Sequence, residues 1–290
     1  MTLPSLTVLI AAKNEAVNIA KCLASVVRRA GRVVVVDSHS TDGTAATAAS
    51  SGAEVVQFTY PGGYPKKRQW ALDTLDLTTE WVLLLDADEV VPEQLWNEIG
   101  TALQQPAGAT GYLITKGFHF LGQRFRFGGF SFAALLLFRR GQARFEELVH
   151  DPAGALDMEV HERIVVAGTT GHLSTPLIHD DFKGLEAYID RHNRYSTWEA
   201  KLRYQFLTTG SYGTSTVKAK LLGNAQERRR WLKKLAIRMP FEPLLWFVYH
   251  YFVRLGFLEG RRGLIACQIR AHYIAQVRAK MFELRQTRRG

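Results

Sequence analysis

Acidic side chains follow three short apolar runs within the first 90 residues of this 290-residue sequence. The segments that carry them read AAKNE at 11–15, DSHSTD at 37–42 and DADE at 86–89. Carboxylates are costly in an apolar setting unless they are paired, hydrogen-bonded or bound to a metal. If the three segments meet, they would repel one another unless cations or hydroxyl donors occupied the space between them. A divalent metal and a ribose supply both.

Asp86 and Asp88 form an Asp-x-Asp pair directly after the apolar run WVLLL. Their hard oxygen ligands suit Mg²⁺ or Mn²⁺. The sequence lacks a Gly-Lys-Ser/Thr phosphate loop, and no Gly-x-Gly-x-x-Gly follows the first apolar run, which disfavours a dinucleotide fold of that type. A nucleotide would therefore be held by acidic groups on its base and ribose, with a metal on its phosphates.

Strands and helices alternate through the first hundred residues, in units of about 30 residues. The apolar runs predict strands at Leu6–Ala12, Arg32–Val36, Glu54–Phe58 and Trp81–Leu85, and helical spacing or composition predicts helices at Asn14–Arg29, Thr41–Ser51, Lys66–Leu75 and Pro92–Leu103. This order predicts an α/β fold, a mainly parallel sheet with helices on both faces. Ligands of such sheets bind beyond the carboxyl ends of the strands, where the acidic segments lie.

Charge divides the chain into two parts. The hydrophobic content of 47% and charged content of 22% exclude wholesale disorder. Residues 183–290 contain 22 basic and 7 acidic residues, whereas residues 1–182 are net acidic. We therefore expect a catalytic domain at 1–182 and a basic, helical region at 183–290. Its charge suits an anionic membrane surface or a nucleic acid, but no nucleic-acid recognition motif is present.

The segment 239–258 is rich in aromatic residues and is flanked by arginines. Its longest stretch without an acidic or basic charge, Pro243–Val253, has eleven residues. A membrane span needs about 20. The composition favours a helix that lies in the membrane interface, with Trp246, Phe247, Tyr249 and Phe252 at the headgroup boundary. A buried core helix is the alternative.

Three motifs, in this order and spacing, resemble the inverting family 2 glycosyltransferases of the GT-A fold: TVLIAAKNE, VVVVDSHSTDGT and WVLLLDADE. Later segments are similar to the bacterial branch that includes lipopolysaccharide-core β-1,4-glucosyltransferases, namely PGGYPKKRQWAL, EVHERI, IHDDFKGLEAYIDRHNRYSTWEA and GFLEGRRG. The resemblance implies a GT-A fold with a mixed, mainly parallel sheet, and a metal-dependent hexosyltransferase that uses Mg²⁺ or Mn²⁺.

The same resemblance implies residue roles on the donor side. The nucleotide sugar would contact Ala11, Glu15, Asp37, Asp42, Arg68 and Asp86. Capping of a helix or turn is the alternative for the acidic residues of the first two segments. Lys66, Lys67 and Arg68 could neutralise the diphosphate, and a solvated surface is an equal alternative for the two lysines. Glu89 would order its loop.

Metal and acceptor chemistry involve later residues. Asp88 would bind the metal, and the resemblance offers His179 or His161 as a further ligand; His179 equally fits a hydrogen-bonded residue at a domain edge. An inverting transfer to a hydroxyl needs a base. Glu162 matches the family's catalytic-base segment, with Glu159 as its local rival, and without the resemblance a solvated glutamate is the better interpretation.

Together these features predict an inverting transfer of a hexose, from UDP-glucose as the favoured UDP-sugar donor, to a hydroxyl of a lipid-linked glycan such as lipopolysaccharide core. The enzyme would act at the cytoplasmic face of the inner membrane, as a peripheral or monotopic protein. A polyprenyl-phosphate glycosyltransferase and a non-catalytic, nucleotide-binding membrane scaffold are the alternatives.

Overall fold

A computed structural model describes residues 2–105, 108–147, 163–180, 183–210, 231 and 237–287. The chain forms two compact units. The first comprises the described residues of 1–119, 131–146 and 150–181, and the second those of 120–130, 147–149 and 182–290. The second unit thus includes a segment, 120–130, that lies far from its main part in sequence.

Four parallel strands form one half of the main sheet of the first unit, in the order β3-β2-β1-β4. They are β1 (Leu3–Ala12), β2 (Ala30–Asp37), β3 (Glu54–Gln57) and β4 (Trp81–Asp86). Every residue from Leu6 to Ala12 is buried, as are Val33–Asp37 and Trp81–Leu85. Such unbroken burial requires cover on both faces of the sheet. The prediction of parallel strands in this part of the chain is confirmed.

Helices follow each of these strands: α1 (Ile19–Val26), α2 (Thr44–Ser50), α3 (Lys67–Thr74) and α4 (Glu93–Leu103). In α1 the buried residues are Ile19, Cys22, Leu23 and Val26, which is the spacing of one helical face. The helix begins five residues later than expected, because Asn14 adopts a left-handed backbone conformation, φ +55°, in the preceding turn.

The other half of the sheet mixes strand directions. Its order from β4 is β8-β6-β11-β5, in which only β6 and β11 run parallel. The strands are β5 (Glu89–Val90), β6 (Gly111–Phe120), β7 (Gln123–Arg124), β8 (Phe132–Arg139) and β11 (Thr170–His179), and a separate antiparallel pair joins β9 (Ala143–Phe145) to β10 (Ile164–Val166). Antiparallel pairing of β11 with β5 places His179 opposite Glu89.

The second unit is helical, as expected for the basic region. It contains α5 (Leu185–Thr209), α6 (Glu242–Val248) and the long helix α7 (Gly260–Thr287). The prediction of a single helix over 239–258 was wrong. Helix α6 continues into a π-helical turn, Tyr249–Val253, and a 3₁₀ turn follows at Gly256–Glu259. Leu255 and Gly260, both at positive φ, break the helix on either side of the 3₁₀ turn. Among the residues described, no helix is long and apolar enough to cross a membrane.

Candidate nucleotide and metal site

The carboxyl ends of β2, β1 and β4 lie side by side in the sheet. In the strand register Ala12 is opposite Asp37 on one side, and Ala11 is opposite Asp86 on the other. The first two acidic segments and the Asp-x-Asp segment therefore meet at one edge of the sheet, which we call the acidic rim (Glu15, Asp37, Asp42, Asp86 and Asp88). The sequence predicted this convergence from the alternation of strands and helices alone.

Hydrogen bonds join the loop after β1 to the loop after β2. The Asn14 backbone N–H donates to Ser40 Oγ at 2.8 Å, and the Asn14 side-chain Oδ1 accepts from the Thr41 N–H at 2.9 Å. The Glu15 N–H donates to Thr44 Oγ1, also at 2.8 Å. Because each loop satisfies backbone donors of the other, contacts within the protein hold this side of the rim in place.

Asp37 and Asp42 cap backbone N–H groups of the turn after β2, as the alternative interpretation expected, whereas the N-cap residues of α1 and α2 make no side-chain capping hydrogen bond. The fully buried Asp37 accepts from both the N–H and the hydroxyl of Ser40. Asp42 accepts from the Thr44 and Ala16 N–H groups and from the Thr44 hydroxyl. Burial alone would raise the pKa of Asp42, but these hydrogen bonds together lower it below its usual value. Each carboxylate has further lone pairs, so a cap does not exclude a contact with a nucleotide.

The protein supplies its own cations to the centre of the rim. Asp86 is paired with Arg68, and Lys116 Nζ lies 2.7 Å from both Asp86 Oδ2 and Glu89 Oε1. Burial alone would raise the pKa of Asp86, but Arg68 and Lys116 hold it well below its usual range. Burial would lower the pKa of Lys116, but Asp86 and Glu89 raise it above its usual range. From the sequence alone, only a metal and a ribose were expected to offset the charge of these carboxylates. In the structure, Arg68 and Lys116 already neutralise part of it.

Lys66 and Lys67 do not form a solvated surface. Only 6% of Lys66 and 1% of Lys67 is exposed to solvent, so that interpretation was wrong. Lys67 Nζ donates to the carbonyl oxygen of Ala12 at 2.8 Å, directly under the end of β1. A buried ammonium is costly unless it is paired and hydrogen-bonded. The ammonium group of Lys67 thus brings positive charge to the end of β1, beside the acidic rim.

Asp88 and His179 form the second part of the site. His179 Nε2 lies 3.2 Å from Asp88 Oδ2 at the end of β11. Glu89 accepts the Asp86 N–H at 2.8 Å and so orders the turn that presents Asp88, in line with its expected loop-ordering role. Burial alone would lower the pKa of His179, but hydrogen bonding to Asp88 and the charges of Asp88 and Glu89 raise it to about 9.

One carboxylate and one imidazole are a donor set that fits a divalent cation bound jointly with a diphosphate. Within the described part of the chain, no group of three or more His, Cys, Asp or Glu side chains could hold a metal alone. Mg²⁺ in nucleotide sites is commonly held by one or two carboxylates together with substrate phosphates and water, and imidazole is also a common ligand of transition metals. The pair Asp88–His179 is therefore a candidate part of a metal site rather than a complete one.

Some functional candidates were missed, and others cannot be placed. Lys116 was missed because nothing local distinguishes a lysine in an apolar strand from one that faces solvent. Asn14 was missed as a loop connector, although its place in Lys-Asn-Glu was a signal for a turn. Glu162, Glu159 and His161 lie outside the described residues, so the structure does not test the expected base or the alternative histidine.

Comparison with known proteins agrees with this architecture. The model of Glycosyl transferase family 2 matches residues 7–156, more than half of the chain. The chain is 26% identical to the lipopolysaccharide core biosynthesis glycosyltransferase LpsC of Rhizobium meliloti, over 93% of this chain and 89% of that protein. It is 27% identical to a TPR repeat-containing protein of Synechococcus elongatus, over 87% of this chain, and spans 60% of that protein.

Solved structures give a weaker likeness. A mannosyltransferase from Pyrobaculum calidifontis, solved with GDP-Man and Mn²⁺, is 17% identical with a TM-score of 0.46, and the match covers 97% of this chain and 89% of that one. Glucosyl-3-phosphoglycerate synthase from Mycobacterium tuberculosis, solved with Mn²⁺ and UDP, is 24% identical with a TM-score of 0.32. That match covers 40% of this chain and 44% of the other.

Proposed function

The chain belongs to glycosyl transferase family 2 and has the GT-A fold, and we propose that it transfers a hexose from a nucleotide sugar to a hydroxyl of a lipid-linked glycan. UDP-glucose is the proposed donor, lipopolysaccharide core the proposed class of acceptor, and inversion at the anomeric carbon the proposed outcome. The observation that carries the proposal is the acidic rim with its built-in cations. It combines carboxylates for a ribose and base with positive charge for a diphosphate.

Each side of the rim has a separate task in this proposal. Asp37, Glu15 and the backbone at Ala11 hold the base and ribose, beside the loops that Asn14 and Asp42 join. Lys67 and Arg68 contribute positive charge at the ends of β1 and β4. Since their orientation is fixed by contacts within the protein, little reorganisation is needed when the donor binds.

Asp88 and His179 are the proposed protein ligands of Mg²⁺ or Mn²⁺. A divalent cation bound there would neutralise charge on the departing nucleoside diphosphate. His179 must be deprotonated to act as a ligand, and Asp88 lies within contact of it. Glu89 and Lys116 keep the turn between Asp86 and Asp88 in place.

The acceptor side rests on Glu162 and on the relative from Rhizobium meliloti. Glu162 is the proposed base that takes the proton of the acceptor hydroxyl, with Glu159 as its rival. Similarity to a lipopolysaccharide core glycosyltransferase over 93% of the chain favours an acceptor of that class. Such an acceptor is lipid-linked, and we accordingly propose that the enzyme works at the cytoplasmic face of the inner membrane as a peripheral or monotopic protein.

A panel of sugar nucleotides tests the donor assignment. Each of UDP-glucose, UDP-galactose, GDP-mannose and dTDP-glucose is measured with Mn²⁺ for binding and for slow hydrolysis. The proposal expects the tightest binding and hydrolysis with UDP-glucose, both lost in Asp88→Ala. If the protein preferred another donor, the assignment of the sugar or nucleotide would change, but the protein would still be assigned as a glycosyltransferase.

Three outcomes would count against the proposed function. Donor binding without hydrolysis or transfer to any acceptor would favour a nucleotide-binding membrane scaffold. Transfer to a polyprenyl phosphate that survives Glu162→Gln at near-normal turnover would favour a polyprenyl-phosphate glycosyltransferase, because a phosphate acceptor is already anionic and needs no base. Salt-sensitive RNA binding with no donor binding would contradict the enzyme assignment.

A further inference from the structure

The second unit exposes a continuous series of large apolar side chains between residues 241 and 258. Phe241 is 67% exposed and Val253 is 65% exposed. The other exposed members are Leu244, Leu245, Val248, Tyr249, Phe252, Leu255, Phe257 and Leu258. Scattered exposed apolar residues are ordinary, but a contiguous set of this size marks an interaction site.

Five of these residues share one helical face. Phe241, Leu244, Leu245, Val248 and Phe252 recur at intervals of three and four, the pattern that normally packs into a core. Here that face is turned to the solvent. The segment Phe241–Phe252, which comprises α6 and most of the π-helical turn after it, therefore has an apolar face that lacks cover from the described part of the chain.

The other side of the same segment is anchored. Trp246 and His250 stack on each other with ring centroids 3.7 Å apart, and Phe130 lies edge-on to Trp246 at 6.1 Å. His250 Nδ1 lies 2.6 Å from the Gly128 carbonyl oxygen. Trp246 and Phe247, expected from sequence to enter a membrane, are half-buried in these and neighbouring ring stacks. The side chains that the segment exposes instead are mainly aliphatic and phenyl groups, such as those of Leu244, Val248 and Phe252.

The loop 120–130 is fixed against this segment and brings arginines to it. Glu259 Oε1 accepts the Arg126 and Phe127 N–H groups at 2.6 and 2.7 Å, and the Gly128 N–H donates to the Arg254 carbonyl oxygen at 2.8 Å. The side chains of Arg124 and Arg126 are exposed on this loop. Exposed arginines also lie along the segment itself, at positions 238, 254, 261 and 262.

No acidic side chain is left exposed to balance these arginines within 237–262 or 120–130. The two acids there are both engaged: Glu242 pairs with Arg203 and Arg278, and Glu259 is buried against backbone N–H groups. Every charge that these two segments present to solvent is therefore positive. We call the exposed apolar residues of 241–258, together with Arg124, Arg126, Arg254, Arg261 and Arg262, the arginine-rimmed face.

We infer that the arginine-rimmed face docks on an anionic lipid bilayer, with its apolar side chains at the headgroup boundary and its arginines on lipid phosphates. This rests on the proposed function, for which it supplies the surface that meets the membrane of the lipid-linked acceptor. Apolar burial and attraction to anionic lipid reinforce each other in such helices. A second copy of the chain fits less well, because a two-fold contact would set the arginines of one copy against those of the other.

Cosedimentation of the full chain with vesicles tests this inference. Vesicles of phosphatidylcholine alone are compared with vesicles containing 3 parts phosphatidylglycerol to 7 parts phosphatidylcholine (roughly 30% anionic lipid, a strongly attracting surface). The wild type should bind the anionic vesicles at least about tenfold more tightly. Salt should weaken this binding only in part, because the apolar contribution is not screened.

Two pairs of variants separate the apolar and charged contributions. Leu244→Ser with Phe252→Ser should reduce anionic-vesicle binding about tenfold or more; the matched control is Phe282→Ser, an exposed phenylalanine on α7 away from this segment in sequence. Arg126→Gln with Arg261→Gln should reduce it by a similar factor and flatten the salt dependence. The charge-matched control is Lys21→Gln with Arg285→Gln, both exposed, which should bind as the wild type does.

Mn²⁺-dependent UDP binding in solution is measured for every variant. It should be unchanged, which shows that each variant is folded and keeps this readout independent of the vesicle assay. If the wild type did not bind UDP, the proposed function would be contradicted, but the vesicle measurements would still test the docking surface. Equal binding to both vesicles, or variants that bind like the wild type, would overturn the docking surface. So would a change of oligomeric state in Leu244→Ser/Phe252→Ser without a change in lipid binding.

Discussion

Lys116 stands between two carboxylates that would otherwise repel each other. Its ammonium group is 2.7 Å from both Asp86 and Glu89, and Glu89 is completely buried. Removing one partner of a buried ion pair leaves the other charge uncompensated, which is more costly than never having had the pair. The lysine is accordingly a positioning residue for the turn that carries Asp88.

We expect Lys116→Met to lower the free energy of unfolding by about 3 kcal/mol, because Glu89 would remain buried without its counter-ion. Urea unfolding followed by circular dichroism measures the change. Lys21→Met, at an exposed position of α1, is the control and should stay within about 0.5 kcal/mol of the wild type. A Lys116→Met protein as stable as the control would mean that Glu89 takes up a proton or solvent at little cost.

The contact between Asp88 and His179 leads to a prediction about metal binding. Asp88→Asn and His179→Ala should each weaken Mn²⁺ binding in the presence of UDP by about tenfold or more, since even partners of metal ligands contribute that much. Isothermal titration calorimetry gives the affinities, and thermal unfolding checks the fold. Asp76→Asn is the control, because Asp76 is exposed and lies outside the acidic rim. Unchanged Mn²⁺ affinity in both site variants would place the metal elsewhere.

The proposed base is tested by kinetics. Glu162→Gln keeps a side chain of the same shape and removes the proton acceptor, so turnover should fall about 100-fold or more while the affinity for the donor is retained. A loss confined to Glu159→Gln would assign the base to the other glutamate of the segment. Full turnover in both variants with a hydroxyl acceptor would contradict a base in this segment.

At the scale of elements, α4 determines where β11 lies. Glu98 of α4 accepts hydrogen bonds from the N–H and hydroxyl groups of Ser174 and Thr175, at the irregularity of β11 between Leu173 and Leu177. Burial alone would raise the pKa of Glu98, but these hydrogen bonds together lower it below its usual value. Because β11 ends at His179, the hydrogen bonds between Glu98 and β11 help to set the position of the histidine.

A pH dependence follows for Glu98→Gln. The pKa of Glu98 is lower in the folded chain than in the unfolded chain, so its carboxylate stabilises the fold above the unfolded pKa of about 4.3, and this contribution is lost as the pH falls through the folded pKa. At pH 7 the variant should be about 1 kcal/mol less stable than the wild type. The difference should shrink below pH 4. Urea unfolding at pH 7 and pH 3 measures it, and a constant difference would mean that shape rather than charge is responsible.

The elements that the sequence predicted well are those with unbroken apolar runs. The run VVVV at 33–36 and WVLLL at 81–85 can be satisfied only in a covered sheet, and both lie in one. The helix at 239–258 was predicted less well, because composition does not reveal that Leu255 adopts a left-handed backbone conformation and ends the helix. A leucine gives no local signal for such a turn.

The site was predictable where its residues follow the ends of the parallel strands, and unpredictable where it depends on the pairing of the other half of the sheet. Asp86 and Asp88 follow from a strand end and a two-residue spacing. Lys116 joins them only because β6 lies two strands from β4, and that pairing depends on contacts between distant residues. The burial of Lys67 likewise depends on what packs over α3, so the same sequence fits a solvated helix equally well.

For the whole molecule, the uneven charge has opposite consequences for the two proposed ligands. The basic region 183–290 carries 22 basic against 7 acidic residues, which attracts an anionic membrane. The first 182 residues are net acidic, which opposes the approach of an anionic nucleotide sugar. In the proposed function, donor binding would therefore depend on local positive charge from Lys67, Arg68 and a divalent cation rather than on the field of the whole domain.

This dependence predicts that UDP and Mn²⁺ stabilise the protein only together. At concentrations about 100 times their joint dissociation constant, a ligand that binds only the folded state adds about 2.7 kcal/mol, which for a chain of this size raises the melting temperature by roughly 5 °C or more. UDP alone should give a much smaller shift, because the carboxylates of the rim face its diphosphate without a metal. Differential scanning fluorimetry with UDP, Mn²⁺, both, and both with excess EDTA measures the four states, and Asp88→Asn serves as the matched protein. If UDP alone gave the full shift, and EDTA left it unchanged, the positive side chains of the rim would suffice for the donor and the proposed metal would have no part in binding it.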